Sequence, residues 1–202
     1  MFPDLLRDDV FRLETKRLWL RWPRASDATE IARLAGDADV AGATAHIPHP
    51  YPADAAIAFV LRARRENSEG RSAVFVVTAK RRPSVPLGAI SLDDAGQDKL
   101  VLGYWLGKPY WKRGMITEAA GAMVEFAFTW TAASEIVAAA PAGNAASQRV
   151  LEKYGFGFVE QALEDAPARP SPILCNLFSL RRDDWRSRGA AATSAETSLG
   201  GL

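Results

Sequence analysis

A chain of 202 residues with 48% hydrophobic content can bury one sizeable core, and a net charge of +1 without blocks of like charge leaves no footprint for nucleic acid. A single cysteine, Cys175, makes an internal disulfide impossible and argues against a metal cluster; its apolar surroundings, Ile173 to Leu180, mark it as a buried strand residue. Asp4, Arg7, Asp8 and Asp9 interrupt the place where a signal peptide would carry its apolar core, and no apolar run is long enough to span a bilayer, so a cytoplasmic protein without membrane contact is expected.

In chain order, Leu18 to Trp22 reads as a strand, and Ser26-Asp27 is expected to cap a helix running to about Gly36. A turn-rich stretch, Gly42 to Pro52, holds three prolines and both histidines, His46 and His49. A second helix starts near Ala53-Asp54 and ends about Ser68. Three strand candidates follow, Ala73 to Ala79, Pro86 to Leu92 and Lys99 to Leu106, separated by a basic Pro-containing turn and by Asp93 to Asp98. Beyond Trp111-Lys-Arg-Gly114, the apolar positions Ile116, Ala119, Ala120, Met123, Phe126, Ala127 and Trp130 recur three or four apart and predict a long helix with one stripe against a core. Then come a strand at Glu135 to Ala140, a helix opening at Asn144, and strands at Phe156 to Gln161 and Ile173 to Leu180. This mixture indicates a single α+β domain over residues 13–186, after an N-terminal extension, 1–12. The stretch 187–202, rich in Ala, Thr, Ser and Gly, is expected to be disordered.

Strand, short glycine turn and helix N-terminus together aim unpaired backbone N–H groups and the positive end of a helix dipole at one point, where an anion should bind. The second polar cluster, Asn144-Ala-Ala-Ser147 followed by Leu151-Glu-Lys-Tyr-Gly155-Phe156, again follows an apolar strand. Signatures of other chemistries are absent from the sequence: no GxxxxGK[ST], HExxH or GxSxG, and Gly155-Phe-Gly157 closes a helix where a dinucleotide fingerprint would open one.

Together these strings resemble the GNAT N-acetyltransferases, within them the branch of ribosomal-protein N-terminal acetyltransferases. The carriers are Tyr104-Trp105, Trp111-Lys-Arg-Gly-Met-Ile-Thr-Glu-Ala119, Asn144-x-x-Ser147 and Glu152-Lys-Tyr-Gly-Phe156, with Leu13 to Arg21, Pro48 to Tyr51 and Ser179 to Trp185 also matching. The resemblance implies a GNAT fold, a strongly twisted mixed sheet of about six to seven strands with about four helices, splayed between its central parallel strands. It implies transfer of an acetyl group from acetyl-CoA directly to a primary amine, either a protein N-terminus or a small molecule, by a monomer or homodimer without metal.

For the donor, the resemblance places the backbone of Lys112, Arg113, Gly114, Met115, Ile116 and Thr117 around the pyrophosphate, with charge-assisted contacts from Lys112 and Arg113. It puts Trp105 and Leu106 beside the pantetheine, with a backbone N–H near Leu106 as oxyanion donor. Asn144 is expected to bind the pantetheine arm or to cap its helix. Many members carry a tyrosine four residues before the glycine of Gly155-Phe156; here that position is Leu151, which cannot donate a proton, and Ser147 is the candidate in its place. Tyr104 and Trp105 read as packing residues in their side chains, as does Tyr154, and Glu118 as a helix starter. No general base stands out: Glu14, Asp93 and Asp94 lie near predicted strand ends, a water chain would serve equally, and the two histidines read as turn-packing residues. The chain departs from the family pattern at Lys112, where a second glycine is common, and at Ile116, where alanine is. Those departures keep open a second class, an acyl-CoA-binding or interaction module without turnover.

Overall fold

The computed structural model describes residues 2–188. One eight-stranded sheet runs through the molecule in the order β1 (Arg12–Glu14), β2 (Leu18–Arg21), β3 (Ser72–Ala79), β4 (Arg82–Gly96), β5 (Lys99–Leu106), β6 (Glu135–Pro141), β8 (Ile173–Arg181) and β7 (Gly157–Glu164). Every neighbouring pair is antiparallel except β5 with β6, which are joined by the crossover helix α4 (Met115–Trp130). The remaining helices are α1 (Ala28–Ala35), α2 (Ala38–Gly42), α3 (Ala55–Ser68) and α5 (Ala145–Lys153), and residues 182–188 are helical as well. No described helix is long and apolar enough to cross a membrane.

Strand alternation divides the core into two layers. Phe75 and Val77 of β3, Ile90 and Leu92 of β4 and Leu100, Leu102 and Leu106 of β5 point to one face, where α4 covers them with Ala119, Ala120, Met123, Val124, Phe126 and Ala127. Val76 and Trp105 point to the other, against Ile31 of α1 and Ala56 and Val60 of α3. Each large side chain buried in this way contributes about 1.5–3 kcal/mol. The stripe on α4 is broader than its spacing predicts, since Val124 and Phe128 are buried too, while Trp130, expected on it, is 59% exposed on the last turn.

The sheet has one strand more than expected. Its extra member, β1, is too short to leave a periodic signal, and α2 is likewise a five-residue helix, held at its start by the Asp37 carboxylate. Residues before β1 join the core: Phe2 stacks on Phe126 with ring centroids 6.4 Å apart, and Leu6 is fully buried. β4 is longer than its apolar run because polar Asp93 and Asp94 continue to pair with β5 as far as Gly96, through a turn in which Gln97 and Asp98 take positive φ. Asp27 does not cap α1. Its buried carboxylate instead accepts both Arg21 Nη groups at 2.8 Å and the Arg24 N–H at 2.7 Å, tying β2 to the start of the helix. Cys175 is buried in β8, and burial, with Glu164 nearby, pushes its thiol pKa up. The expected tail begins within the helical residues 182–188, and the rest of it lies outside the described residues.

Helices α4 and α5 approach closely at Gly121, where an added Cβ would stand 2.5 Å from Tyr154 Oη and 2.6 Å from Tyr154 Cζ. Gly121→Ala gains about 1 kcal/mol of helix propensity but overpacks the contact, at about 1–3 kcal/mol. A lower melting temperature is expected in thermal unfolding; a melting temperature at or above that of the parent would show that Tyr154 swings away without cost.

Candidate active site

The two central strands pair for three residues and then separate. Lys99, Leu100 and Val101 of β5 lie opposite Glu135, Ile136 and Val137 of β6, and beyond Val101 and Val137 the ladder stops although both strands continue. On its other side β5 stays fully paired with β4: Gly107 N–H donates to Leu87 O at 2.8 Å. The pairing alternates, so the intervening residues Tyr104 and Leu106 turn their backbone groups away from β4, toward the opening. The Leu106 carbonyl is taken by the Trp111 indole N–H at 2.7 Å, and the Leu106 N–H is left facing the gap. Gly88 makes this geometry possible, since a Cβ there would stand 2.1 Å from Trp105 O.

At the α4 end of the opening, Trp111 to Gly114 forms a tight turn in which Lys112 (φ 59°) and Gly114 (φ 68°) are both left-handed. Lys112 therefore holds the conformation a glycine would take, a strain of roughly 1–2 kcal/mol. The first helical bond of α4 runs from Glu118 N–H to Gly114 O, so the N–H groups of Met115, Ile116 and Thr117 have no partner within the helix and converge at its positive end. Glu118 is engaged by the β1–β2 connection. Its carboxylate accepts Thr15 Oγ1 at 2.6 Å, Arg17 N–H at 2.7 Å and Arg17 Nε at 2.6 Å, while Arg17 Nη1 donates to Arg113 O at 3.0 Å. The β1–β2 connection thus braces the turn, a link between residues 96 or more apart in sequence that no local pattern announces. Partial burial opposes ionisation of Glu118, but the bonds from Thr15 and Arg17 outweigh it and hold the carboxyl pKa below its ordinary value.

Across the opening, Asn144 caps α5: its Oδ1 accepts Ser147 N–H at 3.1 Å, and its Nδ2 donates to Ala43 O at 3.1 Å. Both halves of the amide are occupied within the protein. The Ser147 hydroxyl lies 3.0 Å from Tyr104 Oη, which is also 3.2 Å from the Ser147 carbonyl. Tyr104 is more than the packing residue its sequence context suggests, and alternation along β5 was the available signal: it shares a face with Leu102 and Leu106, the face on which α4 and α5 lie. Burial pushes the Tyr104 pKa up to about 12, against a smaller opposing effect of Ser147. Trp105, expected beside Leu106 at the donor, is placed otherwise. Alternation sends its side chain to the opposite face and its backbone pairs with Ala89.

That opposite face carries a cavity of about 410 Å³ floored by Val74, Ala89, Ser91, Asp93, Gly103 and Trp105 and walled by α1, α3 and the residues between Thr44 and Tyr51. It reaches Tyr104, so the cavity and the opening meet at one residue of β5. Its polar groups are Thr44, His46, Tyr51, Arg62, Glu66 and a Ser91–Asp93 pair in which Oγ donates to Oδ2 at 2.8 Å. Asp93 lies opposite Val101, five residues before Leu106 and roughly 17 Å along the strand, so it lines the outer end of the cavity. Glu14 pairs with Lys80 on the far side of the sheet, and neither Asp94 nor His49 lines the cavity. The wall over 41–47 is gripped through its backbone: Arg169, in the β7–β8 loop, donates to the carbonyls of Ala41, Thr44 (2.8 Å) and Ile47 (3.1 Å). No cluster of His, Cys, Asp or Glu among the described residues could hold a metal ion.

A parallel pair that splays beside a left-handed turn and a helix N-terminus defines a class, and the sequence agrees with it. A family model described as an acetyltransferase (GNAT) domain matches residues 17–157, and the chain belongs to that family. Among individual relatives, YdaF of Bacillus subtilis strain 168, provisionally named a ribosomal N-acetyltransferase, is 33% identical over 106 residues, 48% of this chain and 55% of that protein. The chain thus spans about half the length of the curated relative it matches. In fold it resembles RimJ of Mycobacterium smegmatis, solved with CoA-disulfide (TM-score 0.73, 17% identity, covering 86% of this chain and 88% of that one). It also resembles a ribosomal-protein-S5-alanine acetyltransferase of Vibrio fischeri (TM-score 0.72, 21% identity, covering 87% and 98%).

Because the Glu118 carboxyl is held below its unfolded pKa of about 4.3, the stability it contributes is present in full above about pH 5 and lost as the pH falls through its folded pKa. Glu118→Gln should lower stability at pH 7 by about 2 kcal/mol, the scale of hydrogen bonds to a charged group. The gap to the parent should close below about pH 4 in denaturant titrations. A gap independent of pH would show that the carboxylate charge is not what braces the turn.

Proposed function

We propose that this protein is an N-acetyltransferase that carries an acetyl group from acetyl-CoA directly to a primary amine. One observation carries the reading: the β5–β6 opening holds an unpaired backbone N–H and a serine hydroxyl, and it meets a mostly apolar cavity with a few polar groups on the other face of the sheet at Tyr104. The residues fit the donor. The N–H groups at the start of α4 with the Lys112 and Arg113 cations suit a pyrophosphate, and the end of the β5–β6 ladder while both strands continue suits an extended pantetheine arm. Acetyl-CoA supplies an activated acyl group as a thioester.

The chain's own residues divide the remaining tasks. The Leu106 N–H is aimed where negative charge develops on the acyl oxygen, a contribution on the scale of 3–4 kcal/mol for one such donor. Ser147 offers its hydroxyl to the departing sulfur. The cavity receives the amine, and its carboxylates Glu66 and Asp93 favour an acceptor with a second cationic group, placed away from the reacting nitrogen. With Asp93 distant from Leu106, water in the cavity takes up the amine proton. The provisional name of YdaF supports a polypeptide N-terminus over a small amine as the acceptor.

Calorimetric titration with acetyl-CoA, with CoA and desulfo-CoA as controls, should show micromolar binding. Gly114→Val, which forces a β-branched residue into a left-handed position, should weaken that binding at least tenfold. Ser147→Ala should lower turnover of a peptide or small-amine acceptor with nearly unchanged donor affinity. Absence of acetyl-CoA binding by the parent would overturn the reading and leave a GNAT scaffold with some other ligand.

A further inference from the structure

The Tyr104–Ser147 contact connects two elements that share no ladder: β5 on one side of the opening and α5 on the other. It is also the only protein hydrogen bond of the Ser147 hydroxyl among the described residues. We propose that Tyr104 is a positioning residue for Ser147, donating its phenolic proton to Ser147 Oγ so that the serine's own proton is directed into the opening between β5 and β6. This inference rests on the acetyltransferase reading above.

Proton counting makes the choice definite. Tyr104 Oη lies within reach of two oxygens of Ser147, the carbonyl at 3.2 Å and Oγ at 3.0 Å, but has one proton to give. If it donates to the carbonyl, which can only accept, the serine proton turns back to the phenol oxygen and nothing faces the opening. If it donates to Oγ, the serine proton is free to point outward. An electron-rich sulfur in the opening selects the second arrangement, because phenol to serine to anion forms a chain in which each hydrogen bond polarises the next. No bond to hydrogen breaks at either hydroxyl: the sulfur leaves with the electron pair of the C–S bond, and its charge is stabilised by the donated Ser147 O–H. The acidity of Tyr104 fits this duty. A partly buried phenol with its pKa pushed up to about 12 is still protonated, and so still a donor, at the pH where an amine acceptor first loses its proton. The phenol ring is anchored independently of its hydroxyl, since it packs against the α4 core layer, so removing Oη leaves the ring a place to sit.

The test is a double-mutant cycle with Tyr104→Phe, Ser147→Ala and the pair, read as kcat and KM for acetyl-CoA, as calorimetric affinity for CoA and as melting temperature. Free thiol release from acetyl-CoA, with and without an amine acceptor, reports turnover. Tyr104→Phe should lower kcat about tenfold with KM and CoA affinity within twofold of the parent, and it should have no further effect in the Ser147→Ala background. Additive losses in the pair would overturn the proposal, as would a Tyr104→Phe enzyme with parental kcat. A variant that loses melting temperature but keeps its kcat would show a purely structural bond. A parent that binds acetyl-CoA but releases no thiol, with any acceptor, would overturn the proposal while sparing the donor site. A parent that binds no acetyl-CoA would remove both readings at once.

Discussion

Lys99–Val101 and Glu135–Val137 form the sheet's parallel rungs, and the separation of their strands after those rungs organises the rest of the molecule. Parting two strands in mid-sheet exposes backbone donors and acceptors that a continuing ladder would satisfy, and an unmet buried group costs about 1–3 kcal/mol. The chain limits that cost on both sides. Trp111 takes the Leu106 carbonyl, Gly88 lets β4 approach β5 closely, and the Tyr104–Ser147 bond ties β5 to α5 on the α4 face of the sheet. What remains unpaired faces solvent-accessible space and is available to a ligand. A donor that adds its own hydrogen bonds there completes the sheet.

The electrostatics of the α4 N-terminus follow from where Glu118 goes. A carboxylate in the first turn of a helix is stabilised by the dipole wherever it points. Had it pointed into the turn it would repel a phosphate. Thr15 and Arg17 engage it instead, so its charge is met by three hydrogen bonds from the β1–β2 connection. The left-handed Lys112 shows how the backbone conformation survives without the second glycine: strain of roughly 1–2 kcal/mol is tolerated and a cation stands at the turn.

Most of the fold is legible in the sequence because it is written in local periods. The α4 stripe from Ile116 to Ala127, the strands β3 and β5 and the glycine at the turn appear where the sequence puts them, while Trp130 leaves the stripe at the last turn of the helix. The features that escape it are of two kinds. Short elements such as β1 and α2 are set by tertiary pairing and by the Asp37 cap, with too few residues to show a period. Long-range side-chain contacts, Glu118 with Arg17 and Tyr104 with Ser147, join segments whose proximity follows only from the folded sheet. Asp27 illustrates a third difficulty: an Asp before a helix is the right residue for a cap, but a buried guanidinium two-pronged toward it is the stronger partner, and Arg21 wins. The turn itself and the helix that opens after it were readable from its glycine and the apolar period that follows. Which face each of Tyr104 and Trp105 occupied was readable from alternation, and what they touched there was not.

The wall of the cavity over 41–47 is held by Arg169 and Asn144, and both grip it by peptide carbonyls. Such a grip is indifferent to side-chain identity. The exposed His46, which lines the cavity, can therefore be exchanged without loosening the segment that carries it, whereas Thr44 bonds Ala41 O and the Ile47 N–H through its hydroxyl and Ile47 is packed in the core. The donor half of the site has no such freedom, since left-handed geometry, close backbone approach and paired hydroxyls each restrict the residue allowed. Within one chain this sets a cavity wall whose exposed position can change chemistry without refolding beside a turn and strand pair whose geometry dictates the residue, so variation is channelled to one rim of the cavity.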